Sequence, residues 1–197
     1  MYRIERVAAG DLMFLAVQAS IVPEQFGAVL VLDALGDFDV AAATRVMGER
    51  VRAVPRLRQR VMRVPPWCGR AVWVDDAEFS VEGHVEHVVC PSPGDERALL
   101  LLAGKLVVRP LPLDRPLWAA TFVTGLDDRR VALGIVIQHL LADGIGGLAV
   151  LGALVDGAQL PAQLTSRCRC RQPGSWPLTP CVPGSGRRAR LCCESVV

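Results

Sequence analysis

The chain has 197 residues, 21% of them charged and 51% hydrophobic, with a formal net charge of +2. Residues 1–160 carry 16 basic and 19 acidic side chains, net −3, and residues 161–197 carry 6 and 1, net +5; no nucleic acid is expected as a partner of the first segment, because phosphate binding needs a clustered basic face. No apolar run approaches the ~20 residues that span a bilayer, so the expectation is a cytoplasmic protein with at most peripheral contact with a membrane or lipid droplet.

The length of the first segment fits one domain with its own core. A helix is predicted to begin near Asp11, whose carboxylate can cap free backbone N–H groups, with Leu12, Leu15 and Ala19 on one side. Ala28 to Leu32 is short and continuously apolar, the pattern of a buried strand. Val40 to Val51 reads as a helix capped by Asp39, with Val40, Thr44, Met47 and Val51 at near-helical spacing, and Pro55 should end it.

Arg56 to Val64 alternates charged and apolar residues and is expected to be a strand. Its arginines have two readings, a solvated strand face or an attraction for a phosphate-bearing donor. Ala71 to Val74 is a further short strand, followed by an exposed Asp75-Asp76 turn. His84 and His87 lie near Cys90, but on a strand that spacing sends them to opposite faces, so no metal is expected there.

Glu96 to Val107 reads as a strongly apolar helix with Leu99, Leu100, Leu101 and Leu102 packing inward on more than one side, ending before Pro110 and Pro112. Leu117 to Leu126 and Arg129 to Gln138 are apolar runs around Gly125-Leu126-Asp127-Asp128, a hairpin pattern. Trp118 is either core or a lining residue of a substrate channel. Gly144 to Val155 reads as a helix whose small residues permit close approach, with its exit at Ala158 to Pro161.

His139 leaves the second strand of that hairpin, four residues before Asp143 and its neighbour Gly144. An imidazole displayed at the end of a buried strand can take a proton from a hydroxyl or a thiol. The surrounding residues are more specific than this spacing. Asp11 to Val17, Val54 to Arg60, His84 to Val88, Arg115-Pro116-Leu117-Trp118 and Gln138 to Gly147 occur in an order that resembles the N-terminal half of the bacterial wax ester synthase/diacylglycerol acyltransferase family. That family is related to chloramphenicol acetyltransferase and to peptide-synthetase condensation domains.

The resemblance implies an α/β fold with a mixed sheet and flanking helices, the N-terminal half of a coenzyme A-dependent acyltransferase. It implies His139 as general base, Asp143 fixing the loop by pairing with an arginine, and Gly144 and Gly146 turning the backbone behind the base. Acyl-coenzyme A is implied as co-substrate with no bound cofactor, and diacylglycerol or a fatty alcohol as acceptor. Gln138 stands where the family carries a first histidine; its amide can donate and accept hydrogen bonds but cannot titrate, so a supporting role is expected.

Members of the family are usually more than twice as long, with a second domain, so residues 1–160 are expected to be a truncated N-terminal domain. Residues 161–197 hold five of the seven cysteines with much Arg and Pro, and are expected to be a disordered tail. Neither Cys168-Arg169-Cys170 nor Cys192-Cys193 has a zinc-site spacing. One lysine against 21 arginines, and no asparagine, imply GC-rich coding DNA. Out-of-frame translation of such DNA yields the composition found after Leu164, so a frameshift or premature stop near residues 157–165 is the hypothesis raised. Two functions of different class follow: an acyltransferase, or a non-catalytic truncated domain that binds lipid or a partner chain.

Overall fold

Two apolar strands, β5 (Trp118–Thr124) and β6 (Arg130–Gln138), pair antiparallel at the centre of a four-stranded sheet of order β1-β6-β5-β4. The computed structural model describes residues 5–17, 24–33 and 37–141, together with Gly152. β1 (Gln25–Asp33) pairs antiparallel with β6 from Gln25↔Gln138 to Asp33↔Arg130, and β4 (Val85–Val89) pairs parallel with β5. The sheet is therefore mixed, as expected.

β5 and β6 lack hydrophobic alternation because both of their faces are covered. Phe122, Leu133 and Ile135 face a large core shared with Met47 and Val51 of helix α2 (Val40–Ala53). Val123 and Ala132 face the opposite way, against Leu99 of helix α3 (Glu96–Val107). The helix comes close because Gly27 of β1 has no side chain; a Cβ there would lie 3.2 Å from Val107 Cγ2. Gly125, which leaves β5, adopts φ 75°, a conformation glycine accepts at no steric cost.

Helix starts follow the sequence closely. The Asp39 carboxylate accepts from the N–H groups of Ala41 and Ala42 at 2.9 and 3.1 Å, and the Asp95 carboxylate accepts from Ala98 N–H at 2.8 Å. A short helix α1 (Leu12–Val17) begins directly after Asp11. Strands β2 (Gln59–Met62) and β3 (Val72–Asp75) form a separate antiparallel pair.

Four local expectations are corrected. Pro55–Arg58 is a 3₁₀ turn, not strand, because Pro55 sets a helical φ at the first position. In α3 only Leu99 is buried; Leu100 and Leu101 are 59% and 61% exposed, because the helix meets the sheet along one face. β1 is an edge strand whose Val31 and Leu32 are exposed, so its apolar run does not mark full burial. The Asp75-Asp76 turn is half-buried: Asp75 accepts from Gln59 Nε2 at 3.1 Å and Asp76 lies 3.9 Å from Arg60 Nε. Ala19, the proposed helix Gly144 to Val155 apart from Gly152, and the tail from residue 161 lie outside the described residues.

Candidate active site

β6 ends at Gln138, and the chain turns sharply through His139, Leu140 and Leu141. Leu140 and Leu141 are buried on the core, while His139 is half-buried between them and the strand end. The turn is fixed through its backbone. Gln138 N–H donates to Leu117 O at 3.1 Å, His139 N–H to Glu24 O at 3.0 Å, and Leu141 N–H to Gln138 O at 2.9 Å.

The imidazole of His139 meets two aromatic rings. Phe14 of α1 stacks on it with centroids 5.6 Å apart and planes 18° from parallel, and Phe26 of β1 approaches to 5.0 Å at 53°. Such contacts restrict rotation of the ring about its Cβ–Cγ bond, which sets the direction of the nitrogen lone pair. The arrangement can receive a proton from a group that approaches in the imidazole plane.

Gln138 is 1% exposed, and its Oε1 accepts the N–H of Leu140. That bond occupies a donor within the turn that carries His139. A leucine at this position keeps the volume but offers no acceptor, and a buried donor left unsatisfied costs ~1–3 kcal/mol. Gln138→Leu is expected to lose that much stability in chemical denaturation; an unchanged midpoint would show that the amide does not brace the turn.

Trp118 is 3% exposed, donates from Nε1 to Leu57 O at 2.8 Å, and stacks on His84 at 4.8 Å. It packs within the large core of the sheet. His84 is buried and donates from Nδ1 to Ser80 O at 3.0 Å; burial holds its imidazole below the ordinary histidine range. His87 is exposed on β4, with Nε2 2.8 Å from Thr124 Oγ1. Among the described residues no group of three or more His, Cys, Asp and Glu side chains converges on a metal-sized site.

Of the arginines between residues 56 and 64, two are turned toward acidic partners and Arg63 is exposed. Arg56 pairs with Glu5 and lies over the Trp73 ring at 4.2 Å, its pKa lowered by burial to about 10, and Arg60 faces Asp76. Burial, with the Asp95 and Asp127 carboxylates adding to it, pushes the Cys90 thiol up, which suits a packed residue and not a nucleophile. Asp143, Gly144 and Gly146 lie outside the described residues. Phe14 and Phe26 are the site residues that sequence reasoning missed: Phe14 stood inside a helical pattern, but no local signal says which partner a phenyl ring meets.

Several known proteins are similar to this chain. A family model described as the wax ester synthase/diacylglycerol acyltransferase catalytic domain matches residues 7–183, a span that runs past residue 160. A probable diacylglycerol O-acyltransferase of Mycobacterium tuberculosis is 30% identical over 190 residues, covering 90% of this chain and 70% of that protein. The solved wax ester synthase/diacylglycerol acyltransferase of Marinobacter aquaeolei VT8 superposes with a TM-score of 0.64 at 25% identity, covering 73% of this chain and 35% of that one. The first condensation domain of the calcium-dependent antibiotic synthetase shares the fold, with a TM-score of 0.62 at 20% identity over 81% of this chain and 40% of the other.

Proposed function

Because this chain belongs to the wax ester synthase/diacylglycerol acyltransferase family, we propose that it moves a fatty acyl group from acyl-coenzyme A to the hydroxyl of diacylglycerol or a long-chain alcohol, with His139 as general base. The hydroxyl oxygen attacks the thioester carbonyl carbon as its proton passes to the imidazole. Collapse of the tetrahedral intermediate breaks the C–S bond, and the imidazolium returns the proton to the departing sulfur, leaving an ester and free coenzyme A.

The observation that carries this reading is the turn at His139, where backbone hydrogen bonds and two aromatic rings hold one imidazole at the end of a buried strand. Gln138 serves as a neutral support of that turn. Asp143 and Gly144, which lie outside the described residues, are proposed as further supports of the base. No resident cofactor enters the reaction, because the proton returns to the product thiol within one cycle. The lipid acceptor brings the protein into peripheral contact with a lipid surface; among the described residues no helix is long and apolar enough to cross a membrane.

Purified chain given palmitoyl-coenzyme A and diacylglycerol is expected to release thiol and form triacylglycerol in equal amounts. Substituting a long-chain alcohol for diacylglycerol identifies the preferred acceptor. Lipid binding with neither thiol nor ester formed would overturn the catalytic reading in favour of a non-catalytic lipid-binding domain.

A further inference from the structure

Between residues 50 and 74 the sequence holds seven arginines and no acidic residue, within a segment, residues 1–160, whose net charge is −3. Arg56 and Arg60 turn toward Glu5 and Asp76. The connection between β2 and β3 carries the next two, Arg63 and Arg70, both exposed, with Trp67 between them.

Trp67 is 69% exposed, whereas Trp73 and Trp118 are 4% and 3% exposed. The tip that presents it is built. A 3₁₀ turn spans Pro66–Cys68, Cys68 N–H donates to Pro65 O at 2.8 Å, and Gly69 adopts φ 94°. From outside the loop, Arg6 Nη1 donates to Cys68 O at 3.0 Å and to Arg70 O at 3.1 Å, which brings a third guanidinium to the tip.

We infer that this hairpin tip docks the protein on an anionic phospholipid surface, with the Trp67 indole entering the headgroup layer and Arg63, Arg70 and Arg6 facing lipid phosphates. An indole has an apolar body and a polar edge and is at home at that depth, and guanidinium groups beside it supply the attraction to negative lipid. A single aromatic ring with a few charges around it suits insertion at an interface better than a protein contact, which needs a larger complementary area. The placement also fits the chemistry. Arg63 Nη2 donates to Leu15 O at 3.3 Å, and Leu15 follows Phe14, whose ring stacks on His139. The connection that carries the tip therefore contacts the helix that helps to hold the base, the side from which a lipid-borne hydroxyl would arrive.

This inference extends the reading of a lipid acceptor, and its test uses binding alone. The full chain is sedimented with vesicles of phosphatidylcholine containing phosphatidylglycerol, and with vesicles of phosphatidylcholine only. Stronger partitioning onto the anionic vesicles is expected, falling about fivefold in Arg70→Gln, the effect of one basic side chain near a charged surface, and more in Trp67→Ser. Brominated lipid should quench the wild-type indole fluorescence and lose much of that effect in Trp67→Phe. Absence of vesicle binding, equal binding to both vesicle types, or undiminished binding of Trp67→Ser would overturn the inference. Vesicle binding that persists without any thiol release would reject the catalytic reading and leave the docking surface standing.

Discussion

His139→Ala is expected to lower the rate of thiol release by ~10²–10⁴-fold, the usual contribution of a general base, while the protein stays folded. The side chain is half-buried and its turn is held by backbone bonds to Glu24 and Leu117, which alanine retains. The loss should fall on kcat more than on KM, since the base acts on the hydroxyl proton in the transition state and not on substrate affinity. Circular dichroism and the denaturation midpoint of the variant provide the control. Equal thiol release from wild type and variant would remove His139 from the reaction.

Trp118→Ala has the largest expected effect on stability. Truncating a buried tryptophan costs ~3–5 kcal/mol through lost contacts and the cavity left behind. Here the indole also supplies the donor to Leu57 O and a face of the His84 stack. It thus joins the start of β5 to the turn after α2 and to the residue before β4. Guanidinium denaturation should show the midpoint fall with little change in slope, and Trp118→Phe should recover most of the packing but not the hydrogen bond. An Ala variant that kept its stability and changed acyl-chain preference instead would assign Trp118 to a substrate channel.

Much of this was legible because local signals and tertiary packing agree. Asp39 caps the helix that follows it, α3 has the predicted bounds Glu96–Val107, and the apolar runs before and after Gly125 became β5 and β6. The misreadings have one physical origin, that hydropathy reports what can be buried and not what covers it. Leu100, Leu101, Val31 and Leu32 are as apolar as their buried neighbours, yet their element lies at an edge or turns that face outward. Arg56 shows the converse. An arginine in an alternating pattern reads as wet, but its guanidinium is half-hidden over Trp73 and beside Glu5, partners from two distant segments. In the candidate site, the position of His139 at the end of β6 was legible from the apolar run before it, whereas its contacts with Phe14 and Phe26 became visible only once α1 and β1 were placed beside it.

The pairing of Gln25 with Gln138 has a temporal consequence. The two ends of that ladder are separated by on the order of a hundred residues, and closing so long a loop is slow compared with forming the β5–β6 hairpin or the helices. The native partner of β1 is made on the order of a hundred residues after it, so this ladder is the slow contact of the sheet. His139 acquires its Glu24 hydrogen bond and its Phe26 neighbour only when that ladder forms. The setting of His139 thus depends on closure of the longest loop in the sheet, and molecules in which that ladder has not formed carry the histidine without it.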